Sequence, residues 1–193
     1  IEEAEYVLVG LGQEFDMEFF LQSREDYRRI REQLQQQNVL WLLPYVEEQF
    51  RRQYLPEMEA EIEKGLQKLA KVLEKKSYFV VSSSLNHKLA EVPWKKMLLK
   101  KERFVAPCGD WTKKQCPDGC EEGIQPVTEA DEEQLQESFK KLQTNGFSVP
   151  DLGKCPKCGK KLVLNNVYAG RYDEKGYLKT WTEYQNWLQN TLN

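Results

Sequence analysis

Four of the five cysteines fall into two close pairs, and these are the side chains best suited to chemistry. Cys116-Pro117-Asp118-Gly119-Cys120 places two thiols with three residues between them, and Cys155-Pro156-Lys157-Cys158 places two more in a tighter knuckle. Gly159, directly after the second thiol of the knuckle, lets the backbone turn so that both sulfurs face one point. Two such pairs supply four soft thiolates, the closed tetrahedral set of a structural zinc ion. A site of this kind has no open coordination position, so it is expected to hold the fold together and not to catalyse. Lys113, Lys114, Lys154, Lys157, Lys160 and Lys161 are placed to offset the two negative charges of a zinc tetrathiolate. The 34 residues between the pairs (121–154) exceed a compact ribbon, but loop entropy grows slowly with length. The competing reading is four free or disulfide-forming thiols. An odd cysteine count with doubled close pairing favours metal, in a reducing, cytoplasmic setting.

The fifth cysteine, Cys108, and the single histidine, His87, are the other candidates. A cysteine acts as base or nucleophile only as its thiolate, and Pro107-Cys108-Gly109 offers no adjacent basic residue to populate it. Cys108 is thus either a catalytic thiol or a small buried apolar residue. His87 is either its partner or a supporting histidine at the surface.

The elements that must position these residues alternate in type. Tyr6-Val7-Leu8-Val9 is a β-favouring run followed by Gly10-Leu11-Gly12, a strand ending in a glycine turn. From about Asp16 to Gln37 the chain is charged, with Phe19, Phe20, Tyr27, Ile30 and Leu34 at helical spacing. Asn38 to Tyr54 is aromatic and aliphatic around Pro44, which is expected to end or kink a helix. Pro56 suits a first helical position, and Met58, Ile62, Leu66, Leu69, Ala70 and Leu73 predict an amphipathic helix to about Lys75. Tyr78 to Val81 is a second strand, ending in Ser82-Ser83-Ser84. A short helix or loop over 92–99 and a third strand over Arg103–Ala106 follow. Strand, helices, strand is the grammar of a βαβ unit with a parallel sheet. The character changes over 111–165, which holds both cysteine pairs. There Thr128 to Leu142 reads as a solvated helix, with Thr128 as N-cap and Asp131 three residues on. Leu162-Val163-Leu164 returns to strand character. Thr180 to Leu192 puts Trp181, Tyr184, Trp187, Leu188 and Leu192 on one helical face, as a packing stripe. The expected fold class is α/β, a Rossmann-like parallel sheet over 1–110 with an inserted zinc-ribbon module over 111–165 and a return segment and helix over 166–193.

With the cysteine pairs set among such strands, the chain resembles a sirtuin. Val7 to Gly12 is similar to the family's opening strand and Gly-Ala-Gly loop, which cradles NAD phosphates. Tyr78 to His87 resembles the strand leading into its Thr-x-Asn-x-Asp segment. Arg103 to Asp110 resembles the stretch ending in the catalytic His-Gly, and the four cysteines fall where the family's zinc module falls. The resemblance implies NAD contacts at Gly10, Gly12, Ser84 and Asn86, and a catalytic position at Cys108. It implies deacylase or ADP-ribosyl-transfer chemistry on a protein, with a modified-lysine or lipoyl-type group. The departures are as specific as the matches: Ser84 replaces Asn, Asn86 replaces Asp and Cys108 replaces the catalytic His. Gln13-Glu14-Phe15-Asp16 replaces the small residues after the glycines. Cys108-Gly109-Asp110 and Asn86-His87 look more like the Gln-Gly-Asp and Asp-His of the macrodomain-linked branch, which is associated with protein ADP-ribosylation. A Gly-x-Gly pair alone is a weak signal, and Glu14 and Asp16 would repel a pyrophosphate. Ser82, Ser83 and Ser84 suit ribose hydroxyls or a plain polar loop equally. The family's last strands and nucleotide loop would follow Asn193.

Three function classes result: a sirtuin-like binding or scaffold pseudoenzyme, an NAD-dependent transferase or deacylase, and a zinc-ribbon interaction protein with no nucleotide pocket. Occlusion of the glycine loop by Glu14 or Phe15 would favour the last. Bulk composition narrows the rest. With 193 residues, 40% hydrophobic, the chain can bury a core without disulfides. A net charge of −3 lacks the basic footprint of a nucleic-acid binder. No run approaches the roughly 18 apolar residues of a membrane span, and the acidic start does not resemble a secretory signal.

Overall fold

The computed structural model describes residues 3–16, 18–90, 101–121 and 123–192, so the expected segment over 92–99 lies outside the described residues. The fold is mixed α/β. Six strands are described, β1 (Tyr6–Leu11), β2 (Ser77–Ser82), β3 (Phe104–Val105), β4 (Gly109–Gln115), β5 (Gln125–Pro126) and β6 (Val163–Asn166). The helices are α1 (Glu18–Leu21), α2 (Glu25–Gln36), α3 (Leu43–Tyr54), α4 (Pro56–Leu73), α5 (Glu129–Gln143) and α6 (Leu178–Leu192).

The first three strands form a parallel sheet in the order β1-β2-β3, with Tyr6 opposite Ser77 and Leu11 opposite Ser82. Side chains of β2 alternate between its faces, as a strand requires. Tyr78 and Val80 pack with Leu66, Ala70 and Leu73 of α4. Phe79 packs with Val105 and with Trp187 of α6, whose indole N–H donates to Ser77 Oγ at 2.9 Å. Burial on both faces explains the near-continuous apolar run of β2. Leu192 departs from the expected stripe: it is 77% exposed, because the helix ends beyond the sheet contact made by Trp187.

The remaining strands form an antiparallel sheet in the order β5-β4-β6. Here α2 and α3 take a place the sequence pattern did not reveal. Their apolar faces share one core with this second unit, through Tyr27–Phe50, Phe50–Phe139 and Tyr45–Trp111 edge-to-face pairs at 5.6, 5.7 and 5.4 Å. Ile62 of α4 touches both cores. Three local expectations change. The helix expected over 16–37 is broken into α1 and α2, because Arg24 takes an extended conformation (φ −87°, ψ 126°). Pro44 neither ends nor kinks a helix; it lies in the first turn of α3, where its missing N–H costs nothing. The glycine turn begins later than expected, since β1 continues through Gly10, in register with Val81, to Leu11.

Among the described residues no helix is long and apolar enough to cross a membrane.

Candidate functional site

The two cysteine pairs are brought together by the antiparallel sheet. Cys116 directly follows β4, and Cys155–Cys158 forms the turn closed by the Lys154–Lys161 bridge ahead of β6. Each knuckle needs a left-handed residue, supplied by Gly119 (φ 68°) and Gly159 (φ 73°). The Gly159 N–H donates to Cys155 O at 2.9 Å, and Cys155 N–H to Lys160 O at 2.8 Å, which fixes the turn. All four Sγ atoms lie within 4.8 Å of one another, and Cys116 and Cys158 are 3.5 Å apart. A tetrahedral ion with metal–sulfur bonds of about 2.3 Å needs sulfurs about 3.8 Å apart. A disulfide needs about 2.05 Å, and all five cysteines are free thiols. The cluster can therefore hold a metal ion.

The thiols influence one another strongly. Burial pushes the Cys116 thiol up, but the backbone N–H groups of Cys120 and Asp118 and the neighbouring thiols outweigh it and bring it down to about 7. The bond to Cys116 in turn pushes Cys120 up to about 12. The charge favoured on one thiol discourages it on the next, because the sulfurs are bonded to one another. The lysines divide. Lys160 stays near the knuckles and pairs with Asp118 at 2.7 Å. Lys114 instead turns inward to Asp131 (2.7 and 2.9 Å) and to Leu152 O (2.9 Å). Lys113 donates to Gly176 O. The charge compensation expected from these two is spent elsewhere, by Lys114 on Asp131 and Leu152 O and by Lys113 on Gly176 O.

Asp131 links this ion pair to α5. It accepts from the Thr128 N–H and hydroxyl at 2.8 Å each, and its own N–H donates back to Thr128 Oγ1, a complete capping box. The helix is not merely solvated as expected: Asp131, Leu135, Ser138, Phe139 and Leu142 are buried.

The residues expected to contact a nucleotide gather at the carboxyl ends of β1 and β2, each engaged by the chain itself. Gly12 N–H donates to Glu14 Oε1 at 3.2 Å, and a side chain at Gly12 would collide with that carboxylate. The Ser84 hydroxyl donates to Asp16 Oδ1, and Leu85 N–H donates to the same oxygen at 2.8 Å. Asn86 Nδ2 donates to Phe15 O at 3.2 Å, while Asn86 Oδ1 accepts from Arg51 Nη1. Burial pushes the Asp16 carboxyl up, and the Ser84 and Leu85 bonds only partly offset this.

Cys108 and His87 do not form the expected couple. Cys108 is half-buried, and burial together with the Asp16 charge raises its thiol, the opposite of an activated nucleophile. His87 pairs with Asp110, Nδ1 to Oδ2 at 3.4 Å, with its ring edge-on to Trp111 at 5.5 Å. Asp110 also accepts from Thr112 N–H at 2.7 Å and from the Thr112 hydroxyl. Burial would raise this carboxyl, but His87 and Thr112 outweigh it and hold it below the usual range. The pair borders a cleft of about 330 Å³ whose lining includes Phe104, Lys113, Tyr172 and Tyr177.

Arg51, Glu48 and Glu47 escaped the sequence reading. Arg51 is only 2% exposed and lies 3.3 Å from Glu48 Oε2 and 3.7 Å from Glu59. Glu48 also accepts from Trp111 Nε1 at 2.8 Å, which ties α3 to β4. Their available signal was two charges among the apolar residues of 40–50, with the third directly after them. No model of a known protein family matches the chain, and a search of curated proteins finds no match.

Proposed function

We propose that this chain is a sirtuin-like binding or scaffold protein, a Rossmann-like sheet with an inserted zinc-ribbon module whose four thiolates hold one structural zinc. The observation that carries the proposal is the convergence of Cys116, Cys120, Cys155 and Cys158 to within 4.8 Å. Four sulfurs and no other donor type suit zinc among the common cellular metals. Such a site is stable where thiols stay reduced, which suits a cytoplasmic protein. Two features argue against NAD turnover in the resting protein. Gly12, Ser84 and Asn86 are bonded within the chain, and Cys108 is not activated. The third class, an interaction protein without a nucleotide pocket, gains from Glu14 sitting on the glycine turn.

Calorimetric titration of NAD tests the scaffold role. No heat is expected at high micromolar NAD, whereas NAD turnover abolished by Cys108→Ala would overturn it. One observation favours the enzyme reading instead: a His87–Asp110 pair bordering a 330 Å³ cleft is suited to moving a proton. In that case the chain would be an NAD-dependent protein ADP-ribosyltransferase or deacylase. Its acceptor would be a protein bearing a modified-lysine or lipoyl-type group.

A further inference from the structure

Helix α4 carries a row of lysines on the side that faces away from the sheet. Lys64, Lys68 and Lys71 are exposed and succeed one another at steps of four and three. The exposed Lys75 extends the row by one further step, since the C-cap Glu74 keeps helical dihedrals (φ −53°, ψ −35°). At about 3.6 residues per turn these positions share one line, opposite the buried Leu66, Ala70 and Leu73. Within the chain the row is a liability. Residues three and four apart are neighbours on a helix, so each lysine has another lysine beside it, and like charges so placed destabilise the helix. The helix dipole favours cations only within the last turn, which accounts for Lys71 but not for Lys64 and Lys68 further back. Lys64 has Glu61 at 3.5 Å, with both side chains largely exposed, whereas among the described residues no carboxylate pairs with Lys68, Lys71 or Lys75.

A second feature of the same face has no cause within the fold. Gly65 is exposed in the middle of α4, where glycine costs a helix stability relative to alanine. A Cβ at Gly65 would meet nothing within 4 Å, and its φ is not in the left-handed region. Neither crowding nor backbone conformation therefore calls for glycine here. Gly65 and Val72, which is 39% exposed, run beside the lysine row two turns apart, with the half-buried Leu69 between them and the core. A missing side chain flanked by cations lets a second backbone come close.

We infer that this face of α4 docks an acidic helical segment of a partner protein, with the closest approach at Gly65 and Val72 and with carboxylates against the lysine row. Steps of four and three are the spacing at which one helix faces another along a seam, so a partner helix repeating Glu or Asp at that interval meets every lysine. The cations form a line and not a sheet of charge, and the exposed Glu61 and Glu74 flank it. Residues 61–75 include no Trp, Phe or Tyr to enter lipid or to stack on bases, which disfavours a membrane or a single-stranded nucleic acid as the occupant. The inference does not depend on the zinc or nucleotide readings, since these residues belong to neither site. It goes beyond the proposed binding role by giving that role a class of partner.

The test is fluorescence anisotropy of a labelled probe titrated with the full chain. The probe is an alanine- and glutamine-based helical peptide of about three heptads, with glutamates at the same steps of four and three. Binding in the micromolar range is expected, and it should weaken as salt is raised. Lys68→Gln with Lys71→Gln, and separately Gly65→Gln, are each expected to weaken it by about tenfold. Lys140→Gln with Lys179→Gln, on exposed lysines of α5 and α6, controls for net charge and should change it little. A peptide of the same composition with its glutamates spread around the helix should bind about tenfold more weakly than the ordered one. Thermal unfolding separates docking from folding: the α4 variants are expected to be at least as stable as wild type, having lost like-charge repulsion or a helical glycine. A loss of stability in both would assign these residues to the fold and overturn the inference. So would absent binding of the ordered peptide at high micromolar concentration, equal binding of the two peptides, or an equal loss in the control variant. Tighter binding of phosphatidylserine vesicles or of a single-stranded oligonucleotide would overturn the partner class.

Discussion

Replacing Lys114 by methionine removes one ammonium and leaves Asp131 buried without its cation. The side chains of Lys114 and Asp131 are 9% and 8% exposed, so water cannot replace the lost partner. Both Asp131 oxygens contact Lys114 Nζ, at 2.7 and 2.9 Å, and the same ammonium donates to Leu152 O at 2.9 Å. Breaking a buried pair from one side costs about 3–5 kcal/mol. The lower end, about 3 kcal/mol, applies here because Thr128 keeps two hydrogen bonds to Asp131. The consequence reaches the cysteines. Lys114 is two residues before Cys116 and Leu152 three before Cys155, so one ammonium ties together the approaches to both knuckles. Urea unfolding of the metal-loaded protein at pH 7 measures the loss, and transfer of metal to a competing chelator should quicken in parallel. The pH dependence has a definite sign. Burial raises the Asp131 carboxyl, but Lys114 and Thr128 outweigh it and hold it below the usual range. Its stabilisation is therefore complete above the unfolded value of about 3.9 and is lost as pH falls through the lower folded value. Lys114→Met should flatten that acid limb. A loss under about 1 kcal/mol at pH 7 would place the pair with solvent-exposed ones and refute the reasoning.

Two further outcomes are expected. Burial pushes the Glu47 carboxyl up to about 7, even though Tyr27 OH donates to it at 2.7 Å. A folded value raised above the unfolded one means that stability falls as pH rises from about 4.5 through 7. Glu47→Gln should thus be more stabilising, or less destabilising, at pH 8 than at pH 5 by about 2–3 kcal/mol, read from urea midpoints at both values. Trp187→Ala should cost about 3–5 kcal/mol by thermal or urea unfolding, since Trp187 fills the sheet face against Phe79 and Val105. Trp187→Phe should recover most of this, lacking mainly the bond to Ser77.

The legible parts of the sequence were those set by local chemistry. The apolar, β-favouring run of β2, the three-and-four spacing of α4 and the Thr128–Asp131 box each carry their signal within a few residues. The cysteine pairs were legible for the same reason, because each knuckle is a local turn; their convergence then required only that β4 and β6 lie side by side. What escaped depends on tertiary placement. Nothing near Tyr27 or Phe50 announces that α2 and α3 pack against Trp111 and Phe139 in preference to the parallel sheet. His87 acquires Asp110 as its partner only when the fold brings the first residues of β4 to the loop after β2. Glu14 and Asp16 were legible as charges hostile to a phosphate, but their own use of the Gly12, Ser84 and Leu85 donors belongs to the folded loop.

The measurement that bears most directly on the account is metal content, paired with X-ray absorption at the zinc edge on protein purified without chelator. The account predicts about one zinc per chain, with four sulfur neighbours at about 2.3 Å, and loss of fold on removal of the metal. A fully folded protein free of zinc would contradict it.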